Sequence, residues 1–125
     1  LALAEGVAAA GRIAIVDGTF LRRRQRDLFR ARASELAIPF AIVEFQAGET
    51  ALRARIAERA ARATDASEAD LAVLDQQLRA QEALGADERA HAIRFDAEAP
   101  LDRARDPASW RTVFSWLGIA DSLPP

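Results

Sequence analysis

Lysine and cysteine are both missing from these 125 residues, and histidine occurs once. Without Cys the chain has no disulfide and no thiolate metal site, and a reducing cytoplasm is the compartment it suits. Without Lys, no chemistry that needs a lysine can be performed by this chain alone. A single His excludes a multi-His metal centre. No apolar run approaches the ~20 residues of a membrane span. The opening LALAEGVAAAG lacks a basic n-region and carries Glu5, so it is a poor signal peptide. Glycine is scarce at six residues, and neither GxxxxGK[ST] nor GxGxxG occurs, so no loop of this sequence cradles a polyphosphate with its backbone N–H groups.

What is present is apolar and arginine-rich. Half the residues are hydrophobic and 29% are charged, with a formal net charge of -2 and a pI near 5.4. That is ordinary for a soluble globular protein, and a general nucleic-acid footprint would need a basic domain. All 17 basic residues are Arg, a usage that a GC-rich genome also produces, and each brings a planar fork of donors suited to phosphate and carboxylate. At 13.6 kDa the chain is one domain's worth, residues 1–125, too short for two cores. It opens on Leu rather than Met, which predicts residues upstream in the full protein.

Residues 1–10 read as the end of a helix, with Leu1, Leu3, Ala4, Val7 and Ala8 on one face and Gly11 as its C-terminal cap. RIAIVD, 12–17, is a continuous apolar run typical of a strand covered on both sides. A helix follows from Leu21 to about Ala37, ended by Pro39. PFAIVEF, 39–45, predicts a second buried strand, and a helix from about Thr50 to Ala63 places Leu52, Ile56, Ala60 and Ala63 on one stripe. Ser67 and Asp70 form a capping-box-like start to a helix with Leu71, Leu74 and Leu78 in its seam and Gly85 at its stop. HAIRFD, 91–96, predicts a third strand, near an edge because of Arg94. Asp106 as N-cap and Pro107 at the first position begin a C-terminal helix over 107–117, whose Trp110, Val113, Phe114 and Leu117 share a face. Strands alternating with helices predict βαβ crossovers and a parallel sheet with helices on both faces.

Ligands of open parallel sheets bind beyond the carboxyl ends of the strands. Asp17, Gly18 and Thr19, then Gln46, then Asp96 to Pro100 occupy those ends. A carboxylate there, followed by Gly and a hydroxyl, can hold Mg²⁺ or its water shell. Equally, Asp17 and Thr19 can cap the helix that follows. Arg55, Arg59 and Arg62, spaced four and three apart, line one helical face and could reach over a phosphate. The same row could be a solvated face on which Glu58 pairs with Arg55 or Arg62. The arginines at 22, 23, 24, 26, 30 and 32 surround their helix rather than forming a stripe, which predicts that most are solvated. His91 is a weak candidate, and both Trp residues read as packing contacts.

The order of these pieces resembles a known family. GRIAIVDGTFLRRRQRDLFRARASELAIPFAIVEFQAGETALRARIAERAARATDASEADLAVLDQQL, followed by EALGADERAHAIRFDAEAP, is similar to the C-terminal half of P-loop kinases. The particular relatives are ATP-binding proteins often fused to an aminoglycoside-phosphotransferase-like domain, with gluconate kinase, polynucleotide 5'-hydroxyl kinase and the zeta toxins among their kin. The strand end usually written VVDATF is IVDGTF here, with Gly18 for the common Ala. The resemblance covers residues 1 to about 102.

The resemblance implies a three-layer αβα fold of the P-loop NTPase, adenylate-kinase type, incomplete in this chain. It implies ATP and Mg²⁺ as cofactors and a small-molecule or nucleotide hydroxyl as acceptor. Asp17 and Thr19 would face the cleft, Asp17 near the metal. Arg55 and Arg59, and less closely Arg62, match the arginines of a lid segment at about 55–70, and Ala97, Glu98 and Pro100 belong to the loop passing the adenine. The family's Walker A loop, its Lys and the strand bearing them are absent, so the expectation is a phosphotransferase fragment that is inactive alone and binds ATP weakly. The contrasting expectation is a non-catalytic α/β module that docks a partner or forms a homodimer through apolar faces left exposed. A response-regulator-like fold is a third option, weakened by the lack of a strand-end Lys.

Overall fold

A computed structural model describes residues 1–62 and 68–119, without the side chains of 60, 62, 68–70, 101 and 103. The elements are α1 (Ala2–Ala9), α2 (Arg23–Glu35), β1 (Ile42–Gln46), α3 (Glu49–Arg62), α4 (Glu68–Ala80), α5 (Ala86–Arg89), β2 (Ala92–Asp96), α6 (Leu101–Arg105), a 3₁₀ turn (Pro107–Trp110) and α7 (Arg111–Trp116). The fold is helix-rich α/β with a small parallel sheet, as the alternation of elements predicts.

Two of the three expected strands form. β1 and β2 pair in parallel, Ile42 opposite Ala92 through Gln46 opposite Asp96. Strand alternation puts Val43, Phe45, Ile93 and Phe95 on one face and Glu44, Gln46, Arg94 and Asp96 on the other. The apolar face packs: Phe45 stacks on Phe95 at 5.6 Å, and Phe95 meets Trp110 at 4.7 Å. The Trp110 indole donates to the Ala104 carbonyl at 2.7 Å, which ties the 3₁₀ turn packed on Phe95 to α6.

The strand expected at 12–17 is a correction. Arg12–Asp17 takes no part in the sheet, and Ile15 is 90% exposed. An extended segment becomes a strand only when a neighbour accepts and donates its backbone hydrogen bonds, and none of the described residues does so here. The expected apolar face of α1 is also uncovered, with Leu3 89% exposed; α1 is joined to α2 by Glu5 and Arg32, 3.0 Å apart.

Helix ends explain most boundary differences. After α1, Gly11 at φ 70° donates to Ala8 and Arg12 donates to Val7, the paired bonds of a Schellman turn. Gly118 at φ 69° closes α7 in the same way, donating to Ser115 while Ile119 donates to Phe114. α2 ends through the same turn at Ala37, φ 52°, ahead of Pro39. A side chain in the left-handed region costs on the order of 1 kcal/mol. α4 stops at Ala80 rather than at Gly85, which instead precedes α5. The 107–117 helix is two pieces, the 3₁₀ turn and α7, and Asp106 does cap it, accepting from the Ala108 N–H at 3.0 Å. The capping box expected of Ser67 and Asp70 lies outside the described residues.

Among the described residues the buried apolar side chains are Ala33, Leu74, Leu84 and Val113, and the most buried large side chain is charged, Glu88 at 1% exposure.

Candidate functional site

The carboxyl ends of the two strands are stitched to α3. Ala97 donates its N–H to the Gln46 carbonyl at 2.7 Å, extending the pairing beyond Asp96. The Asp96 carboxylate accepts the Glu98 N–H at 2.8 Å, turning the loop back. Glu98 then accepts the Gly48 N–H at 2.7 Å, immediately before α3. Its negative charge thereby lies at the positive end of that helix dipole. A Cβ on Gly48 would stand 3.2 Å from the same oxygen, so the approach needs glycine or a small retreat of Glu98.

Arg55, in the second turn of α3, donates Nη2 to the Ala97 carbonyl at 2.5 Å. An arginine and a loop singled out from the sequence are therefore in contact. Glu98 joins them through Gly48, and Pro100 stands exposed at the start of α6. Arg59 and Glu58 are each engaged in interactions of their own, and the Arg62 side chain is not among those described. Arg53, off the expected row, ties α3 to α4 by pairing with Glu49 at 2.8 Å and Asp75 at 2.5 Å.

Asp17 and Thr19 are exposed on the extended segment that precedes α2. The capping alternative for them fails. The residue before α2 is Arg22, whose N–H is accepted by the Gln25 side chain at 2.9 Å, so neither residue caps the helix. Among the described residues no hydrogen bond or ion pair joins Asp17 or Thr19 to Arg55 or to Ala97–Pro100. Phe20, between them and α2, holds φ 38°; its ring packs edge-on against Phe29 at 5.2 Å, and its carbonyl accepts Arg26 Nη1 at 3.0 Å. Such a backbone persists only when its surroundings over-determine it.

The expectation that most α2 arginines are solvated holds with one exception: Arg26 is enclosed, whereas Arg23 and Arg30, which also face residues 82–89, keep side-chain exposures of 41% and 35%. Arg26 is buried against Glu88, Nε to Oε1 at 2.6 Å and Nη2 to Oε2 at 3.1 Å. Glu88 also accepts the Gly85 N–H at 2.8 Å. The Arg26 bonds hold the Glu88 carboxyl below its ordinary range, against burial that pushes it up. One turn away on either side, Arg23 grips Asp87 through both terminal nitrogens, at 3.0 and 2.6 Å, and Arg30 reaches Asp87 at 2.6 Å. These two arginines hold the Asp87 carboxyl well below the usual carboxylate range. Arg32 pairs with Glu5 and Glu35, while Arg22 and Arg24 are exposed. The signal that could have found the clasp is Gly85 followed three residues on by Glu88, half of a capping box. His91 is a packing residue, its ring 6.4 Å from Trp116.

The family model described as an AAA domain matches residues 1–84. The chain belongs to the AAA domain family. Its type is the P-loop NTPase, whose members generally bind a nucleoside triphosphate with Mg²⁺. Comparison with curated proteins and with solved structures gave no match. The matched part of this AAA domain holds Asp17, Thr19, Arg26 and the α3 arginines, whereas Glu88, β2 and Ala97–Pro100 lie beyond it.

The described residues of this AAA domain do not supply a complete nucleotide site. Among the described residues no group of three His, Asp or Glu side chains could hold a metal. With no Lys and no glycine-rich loop, the chain does not supply a cradle for the phosphates.

Proposed function

We propose that this AAA domain chain is part of an ATP-dependent phosphotransferase of the P-loop kinase class, acting on a small-molecule or nucleotide hydroxyl and inactive without a Walker A segment. The observation that carries the reading is the meeting of Arg55 with the Ala97 carbonyl at the carboxyl ends of parallel strands, where open sheets bind their ligands. In this reading Arg55 and Arg59 lie over the phosphates and oppose the charge that develops during transfer. Ala97, Glu98 and Pro100 border the adenine, and Asp17 and Thr19 approach the acceptor or the metal's water shell. The test is the reading frame before the Leu1 codon. GxxxxGK[ST] is expected within about a hundred residues, the scale of a domain, and its absence there overturns the reading.

A second reading is supported by the uncovered apolar side chains of α1 and of the segment after it, Leu3, Ile13 and Ile15. These favour a non-catalytic module that dimerises or docks a partner. Sedimentation separates the two: a concentration-dependent dimer lost in Ile15→Ser supports the module, and a monomer at every concentration counts against it.

A further inference from the structure

The polar face of the sheet opens on a cleft of about 230 Å³ between the strands and the chain that joins α4 to α5. Leu78 and Leu84 supply its apolar part, and Glu44, Gln46, Gln81, Arg89 and Arg94 supply polar groups. A sheet covered by helices normally presents apolar residues on both faces; this two-stranded sheet carries Glu44, Gln46, Arg94 and Asp96 on one of its faces.

A structural ion pair accounts for part of it. Arg94 gives Nε to Glu44 Oε2 at 2.8 Å across the strands, and Arg89 gives Nη1 to the Leu84 carbonyl at 2.5 Å. The remaining guanidinium N–H groups of both arginines make no hydrogen bond to the described residues. The side-chain amides of Gln46 and Gln81 make none either. Two cations face one anion, and two uncommitted amides stand beside them. A cross-strand pair needs only Glu44 and Arg94; a second arginine and two amides in the same small cleft go beyond it. A partly apolar cleft with a few convergent polar groups is the general form of a small-molecule site.

We propose that this cleft binds a small hydroxylated anion, its carboxylate or phosphate held between Arg89 and Arg94 and its hydroxyls by Gln46, Gln81 and the free oxygen of Glu44. The planar forks of two arginines suit either anionic head. The lining, two arginines against Glu44, favours an anion, and the cleft is the size of a molecule of a few carbons. The assignment is independent of the phosphotransfer reading, because it uses neither Arg55 nor Asp17 and requires no nucleotide.

The test is titration of the 125-residue chain with four probes: glycerate, glycerol 3-phosphate, glycerol and propionate, at matched ionic strength. Binding is read by calorimetry and by the side-chain amide signals of Gln46 and Gln81. At least one hydroxylated anion should saturate, at least tenfold tighter than glycerol or propionate, with the tighter of the two naming the head group. Arg94→Gln and Gln81→Leu should each weaken it tenfold or more, while Arg24→Gln, exposed on α2, should not. Gln81 follows the end of α4 and is exposed, so Gln81→Leu decides the matter alone if Arg94→Gln does not fold. Hydroxylated anions that bind no tighter than glycerol, or that bind Gln81→Leu as tightly as the parent, overturn the assignment.

Discussion

Two neighbouring stretches of this chain reverse their outward character in the fold. The arginine-rich helix α2 looks like surface, yet Arg26 is 7% exposed and Arg23 and Arg30 hold an aspartate of a segment some sixty residues away. The apolar run just before it looks like core, yet Ile13 and Ile15 are more than half exposed. Burial is decided by available partners rather than by polarity alone. A guanidinium with a carboxylate, two carbonyls and a fixed geometry can be enclosed, because its donors are satisfied. An apolar strand without a neighbour to complete its backbone hydrogen bonds stays outside the sheet.

The largest effect is expected from removing one half of the buried pair. Glu88→Ala leaves Arg26 enclosed without its counter-charge and should cost about 3–5 kcal/mol in urea unfolding. A loss under ~1 kcal/mol, the scale of a surface pair, would return α2 to the surface. Replacing both partners, Arg26→Met with Glu88→Leu, should recover most of that loss, since a well-packed apolar pair removes both desolvated charges.

Acid sharpens the same contrast. The Glu88 carboxyl is held below its ordinary value of 4.5 in the folded chain, chiefly by Arg26, so the unfolded state binds its proton first. The contribution is fully present above about pH 4.5 and is lost as pH falls below that toward the folded-state value. Asp87, held down by Arg23 and Arg30, adds in the same direction. Urea midpoints measured from pH 6 to 3 should therefore decline, and Glu88→Gln should flatten the decline.

A smaller effect is expected at the α2 terminus. Ala37→Gly, at φ 52°, removes the left-handed penalty and should stabilise by about 0.5–1 kcal/mol after the entropy cost of glycine. The smallest effect belongs to the exposed run: Ile15→Ser should change stability by no more than about 0.5 kcal/mol, as surface substitutions do. A large loss there would show Ile15 covered in solution.

The sequence made β1, β2 and the long helices legible because their periods are unbroken and Asp106-Pro107 is a strong start signal. It also singled out Arg55 and Ala97, though their contact depends on the fold bringing α3 over the loop after β2. It could not show that Glu88 selects Arg26 among six nearby arginines, a choice made by tertiary geometry. Nor could it show the polar face of the sheet. The alternation of Glu44 and Gln46 with Val43 and Phe45 was in view, but PFAIVEF reads first as a continuous buried run. The pairing of 12–17 failed for the complementary reason, since period reports the tendency to be a strand and not the presence of a neighbour.

In the proposed function this AAA domain chain borders a nucleotide site and supplies no phosphate cradle. Calorimetric titration of the 125-residue chain with Mg·ATP tests that claim most directly. The account predicts no saturable heat up to millimolar nucleotide, and saturable micromolar binding, weakened by Arg55→Ala, would contradict it.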